Sequence, residues 1–140
     1  MEQNEKFYPC NLAFSWSFAD EGKGFRKTFQ RLAHTSFTKD DVSTVDQFFD
    51  RIRKELPSAV AQIKEKAPGD DPKGEISTHV SYIWTDGDYT THFTYMQTAQ
   101  GQHIDTDKAL KSLKKAEKKV RKGIKKAVKK AEEFEEAENE

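Results

Sequence analysis

Residues 76–96 read ISTHVSYIWTDGDYTTHFTYM, and their alternation decides the fold. Ile76, Thr78, Val80, Tyr82 and Trp84 occupy every second position, Asp86-Gly87 supplies a tight reversal, and Tyr89, Thr91, Phe93 and Tyr95 return. A two-residue turn that sets Thr85 against Asp88 pairs Trp84 with Tyr89, Val80 with Phe93 and Thr78 with Tyr95. Every large apolar residue of the hairpin except Ile83 and Met96 then falls on one face, the condition for a sheet with one buried side.

Working upstream, Leu12, Phe14, Trp16 and Phe18 alternate with Ala13, Ser15 and Ser17 as a first strand. Asp20 to Gly24 turns the chain into a less regular strand, Phe25 to Phe37, whose apolar phase slips between Phe29 and Leu32 and so predicts a bulge. Thr38-Lys39-Asp40-Asp41 has the form of a helix start, with acids where backbone N–H groups are unpaired. Val42, Val45, Phe48, Phe49, Ile52, Leu56, Val60 and Ile63 follow at spacings of three and four, the stripe of a helix packed on a sheet. Pro57 lies inside this stripe without shifting its phase, which predicts a kink or a brief restart.

The order strand, strand, helix, strand, strand, helix predicts an α+β fold. Two hairpins in ββαββα order form a four-stranded antiparallel sheet with helices on one face, the last helix long and basic. The compact α+β domain is drawn at 1–104, a basic amphipathic helix at 105–131 and a frayed acidic tail at 132–140. The two ββα halves share no visible sequence similarity, so a duplication is suggested by topology alone.

Charge is sorted into blocks along the chain. Lys108 to Lys130 carries twelve Lys or Arg against one acid, Glu117, six glutamates follow it, and residues 1–107 are about −5 by count in a chain of net charge zero. On a helical wheel Ala109, Leu113, Ala116, Val120, Ile124, Ala127, Ala131 and Phe134 share one face, opposite the lysines. Half of that stripe is alanine, and Gly123 costs about 1 kcal/mol relative to Ala in a helix interior, so weak or partial docking on the body is expected.

A lone cysteine, Cys10, excludes an internal disulfide and a cysteine-based zinc site. With no apolar run approaching the roughly 20 residues of a membrane span, a cytoplasmic protein is expected. The basic block points to polyanions: nucleic acid held non-specifically through Lys111, Lys114, Lys115, Lys118, Arg121, Lys122, Lys125, Lys126 and Lys129. One Arg among eleven Lys, with no Asn or Gln on the basic face, gives no means of reading bases. The alternative is a regulator or inhibitor docking on a protein, by the helix against an acidic or apolar surface or by the open polar sheet face. A charged membrane surface fits less well, because the apolar stripe lacks Trp and clustered Leu.

That polar face carries Ser77, His79, Ser81, Thr90, His92 and Thr94. In the register above Ser81 opposes His92 and His79 opposes Thr94, placing imidazoles beside hydroxyls. The strings His79-Val80-Ser81 and His92-Phe93-Thr94 resemble the His-x-Ser/Thr pair of the two-histidine phosphoesterases. The resemblance implies phosphoester hydrolysis with His79 and His92 as acid and base, and Ser81 and Thr94 beside them. The two strings lie thirteen residues apart on one hairpin, whereas that family draws them from separate lobes. Ser, Thr and His also suit the wet side of an antiparallel sheet. Taken together, the residues predict a non-enzymatic binding protein with no metal and no cofactor.

Overall fold

The computed structural model describes residues 7–38, 40–86 and 89–139, and the side chains of these except Asp86, Tyr89, Ala131 and residues 134–139. The strands β1 (Tyr8–Asp20), β2 (Phe25–Phe37), β3 (Lys73–Asp86) and β4 (Tyr89–His103) form one antiparallel sheet in the order β2-β1-β3-β4. The helices α1 (Ser43–Lys66) and α2 (Thr106–Asn139) cover one face, as the ββαββα pattern predicts.

Alternation determines which side of the sheet is dry. Leu12, Phe14, Trp16 and Phe18 of β1 and Val80, Tyr82 and Trp84 of β3 point to the helices and are buried. From α1, Phe49, Ile52, Leu56 and Val60 meet them. At one end Trp84 stacks on Phe37 and tilts against Tyr8, closing the core with aromatic rings.

Several local expectations are corrected. The second hairpin keeps its predicted faces but shifts register by two residues: Trp84 pairs with Thr91, Val80 with Tyr95 and Thr78 with Gln97. Asp86 pairs with Tyr89, so Gly87 and Asp88 fall between the strands, outside the described residues. A shift of two preserves side-chain direction, so apolar patterning cannot distinguish the two registers. β2 has no bulge; it pairs with β1 without interruption, and Leu32 simply faces outward. The irregularity lies instead between Gly74 and Ile76, where β3 meets β4. A Cβ at Gly74 would come within 2.1 Å of the Ala19 carbonyl oxygen, so only glycine fits there.

The first helix starts later than its capping signal. Thr38 and Asp41 bridge each other through two backbone hydrogen bonds, and the Ser43 N–H donates to Asp41 Oδ1 at 3.0 Å. Hydrogen bonding to the Ser43 side chain, and then to its backbone N–H, holds the Asp41 carboxyl below its usual pKa. α1 then runs unbroken through Pro57.

The largest correction concerns α2, which is seated on the sheet along most of its length. Ala109, Leu113, Ala116, Val120, Ile124 and Ala127 are all buried, as is Val128. The alanines that weaken the stripe by area also let the helix backbone approach closely. Gly123 extends this: its Cα faces the stacked rings of Tyr82 and Phe93, and an added Cβ would lie 2.9 Å from the Tyr82 hydroxyl oxygen. The stripe members Ala131 and Phe134 lie outside the described side chains.

The two halves repeat. Val45 and Ala109, Phe49 and Leu113, Ile52 and Ala116, Leu56 and Val120, Val60 and Ile124, and Ile63 and Ala127 are buried pairs, each 64 residues apart. The same offset carries Ser15 onto His79, its own cross-strand partner, so a local two-fold axis passes through that pair. The repeat is invisible in residue identity because only burial is shared.

Candidate functional site

α2 supplies the basic surface, and its seating determines which charges are available. The helix has 34 residues, about 51 Å at 1.5 Å per residue. With Leu113, Val120 and Ile124 turned inward, Lys111, Lys114, Lys115, Lys118, Lys122, Lys125, Lys126 and Lys129 point away from the sheet and are exposed, as are Lys119 and Lys130. Among the described residues, no lysine of α2 shares an ion pair with a carboxylate. Lys119 lies 5.8 Å from the centre of the Tyr95 ring. Ten ammonium groups over Lys111 to Lys130 give about one charge per 3 Å, near the ~3.4 Å phosphate spacing of a nucleic-acid strand.

Arg121 differs from the lysines. Its guanidinium donates to Glu117 at 2.6 Å and pairs with Asp46 of α1 at 2.5 Å, while Arg53 of α1 also donates to Glu117. The sole acid and the sole arginine of the basic block are thus spent on fastening α2 to α1. Glu117, with its side chain 12% exposed between two arginines, is the centre of the staple. Of the nine basic residues expected to contact phosphates, Arg121 is therefore engaged in ion pairs within the molecule, its side chain still 42% exposed. Arg53, missed in the sequence, joins the surface: with Leu110, Lys111, Lys114, Lys118 and the Glu117–Arg121 pair it lines an open groove of about 660 Å³. Nothing in its local sequence marked it, because its role depends on α2 lying antiparallel beside α1.

The histidines are placed differently from expectation. Ser81 faces Thr94, His79 faces Met96 and His92 faces Ile83, so the predicted diagonal cluster is not formed. Four register positions separate the two imidazoles, about 13 Å along the strands. His92 Nε2 and Thr94 Oγ1 lie 3.2 Å apart on the same strand, and the His34 ring is hydrogen-bonded to Asn11. Cys10 is buried with its thiol pushed up to about 12 by desolvation, which keeps it protonated and unreactive.

Among the described residues, no element packs on the outer face of the sheet. Across the strands its rows run Leu32, Ala13, Ser81, Thr94, flanked by His34, Asn11, Ile83, His92 and by Gln30, Ser15, His79, Met96. The next row, Thr28, Ser17, Ser77, Thr98, completes sixteen positions without one Asp, Glu, Lys or Arg. Among the described residues no group of three or more His, Cys, Asp or Glu side chains could hold a metal ion. No described helix is long and apolar enough to cross a membrane. No family model, no curated protein and no solved structure matches the chain.

Proposed function

We propose that this chain binds nucleic acid through the lysine face of α2, by backbone electrostatics and without base readout. The observation carrying this reading is the row of exposed lysines, paired with no carboxylate among the described residues, on a helix anchored by its opposite side. A seated helix presents its charges without first having to order, so counterion release is not offset by folding. The groove lined by Arg53, Lys111, Lys114 and Lys118 gives the strand a path. If four or five lysines engage phosphates, log affinity falls with log salt at a slope of about −4.

The test is a salt titration of duplex and single-stranded binding, comparing the full chain with Lys115→Glu/Lys118→Glu/Lys122→Glu. Truncation at residue 103 is unsuitable, because it would strip Leu113, Val120 and Ile124 from the core. Loss of binding and of salt slope in the variant is expected; equal binding by both chains would exclude the lysine face. The second reading is a regulator or inhibitor that docks on a protein. The apolar stripe of α2 is not the docking element, since the sheet already covers it. The lysines or the uncharged outer face remain for that role.

A further inference from the structure

Over five successive rows the outer sheet face holds no formal charge, in a chain one-third of whose residues are charged. Solvated faces are where a soluble protein places its Lys, Glu, Asp and Arg. Here the helical side is densely charged, and the bare side carries Ser, Thr, Asn, Gln, His and three exposed apolar residues, Leu32, Ile83 and Met96. The exclusion extends past the sixteen central positions to Pro9, Ser36, Thr85 and Thr90, and ends at Arg26 and Glu75.

We propose that this face is an interface between two copies of the chain, packed sheet against sheet, with the helices outermost. Three features select a second copy over another partner. The first is chemical: in a two-fold contact the same surface must complement itself. Hydroxyl and amide side chains both donate and accept, so a face made of them can pair with its own copy, whereas a charged face would meet like charge.

The second is size. Four strands at ~4.8 Å and five rows at ~6.7 Å span roughly 640 Å² per copy, about 1,300 Å² in all. That lies within the roughly 1,200–2,000 Å² of stable complexes. The third is relief. Ala13, Ser15, Ser17, Ser77 and Ser81 keep five of the eight outward positions of the two central strands low, His79, Ile83 and Asn11 being the larger ones, and Leu32 and Met96 rise on the edge strands. Two such troughs set face to face, with the usual rotation of aligned sheets, let the edge residues of one copy fill the trough of the other.

The arrangement also suits the electrostatics. With layers ~10 Å apart, the two lysine helices would stand about 30 Å from each other, beyond the ~8 Å screening length of physiological salt. This inference does not depend on what the lysines bind.

Sedimentation of the full chain over about 1–300 µM in 150 mM salt tests it. A mass rising to twice that of the chain is expected. Ala13→Lys/Ser81→Lys, which sets two charges at the middle of the face, should weaken the dimer at least ~100-fold while circular dichroism and the unfolding midpoint stay native. Should that variant fail to fold, Leu32→Lys/Met96→Lys replaces it, since those residues are 63% and 64% exposed and lie outside the core. A native chain that stays monomeric throughout overturns the proposal. So does a dimer equally tight in both variants, which would place the contact on sheet edges or helices.

Discussion

Replacing Gly123 by Ala opposes two effects of known sign. In an exposed helix interior the change stabilises by about 1 kcal/mol, because glycine loses more backbone freedom on folding. In this molecule the new methyl would lie 2.9 Å from the Tyr82 hydroxyl oxygen and 3.1 Å from Phe93 Cδ2. Tyr82 is buried and stacked on Phe93 with ring centres 5.1 Å apart, so its ring cannot swing aside. Overpacking of this kind costs about 1–3 kcal/mol. The expected net result is a loss of about 1 kcal/mol, or some 3–5 °C in midpoint. In a Tyr82→Phe background the nearest atom is gone, and Phe93, half-buried on an edge strand, can yield by a few tenths of an ångström. There Gly123→Ala should stabilise by about 0.5–1 kcal/mol, giving a coupling near 2 kcal/mol between the two sites. Urea unfolding of the four chains in a double-mutant cycle measures it. Equal stabilisation in both backgrounds would show that α2 does not rest on Tyr82, and the seated-helix account would fall with it.

Three further outcomes follow from named contacts. Glu117→Gln leaves Arg53 and Arg121 without their shared carboxylate and should cost about 1–2 kcal/mol in urea unfolding, whereas removing the exposed Glu21 partner of Arg26 should cost almost nothing. Gly74→Ala drives a methyl into the Ala19 carbonyl, which as backbone cannot move, so a loss of at least about 2 kcal/mol is expected; Gly22→Ala, whose nearest contact is 3.7 Å, serves as the near-neutral control. Burial raises Cys10 from 9.0 to about 12, and burial followed by the Cys10 charge raises Tyr82 from 10.0 to about 12. The unfolded chain therefore releases these protons first, and stability present below pH 9 is lost as the pH rises toward 12, by up to about 4 kcal/mol for the thiol. Cys10→Ala should flatten that decline between pH 9 and 11, and an unchanged slope would refute the assignment.

What the sequence could reveal depended on how many elements a feature involved. Strand faces and the α1 stripe are legible because Trp16, Val80 or Ile52 each report burial through local periodicity alone. Ile83 and Met96, already out of phase in the sequence, are indeed exposed. The hairpin register was lost because a two-residue slip leaves every side chain on its own face. The seating of α2 was misjudged for a different reason: summing apolar area counts Ala116 and Gly123 as weak, although their small size is what admits Tyr82 and Phe93. The lysine ridge was legible residue by residue except at Arg121, whose partner Asp46 lies 75 positions away in the chain. The absence of charge on the outer face emerges only once four strands are laid in register.

The 64-residue repeat bears on how freely this chain can be rearranged. Lys66, the last residue of α1, has Lys130 as its counterpart, so α2 outgrows its twin where the lysines stop and the glutamates begin. Up to that point the two halves are interchangeable in connectivity. A chain opened between α1 and β3, with residue 130 joined to residue 9 through a copy of the six residues Ala67–Pro72, would trace the same path starting from its other half. The order of synthesis is thus not written into this architecture, and the acidic extension has no counterpart in the other half.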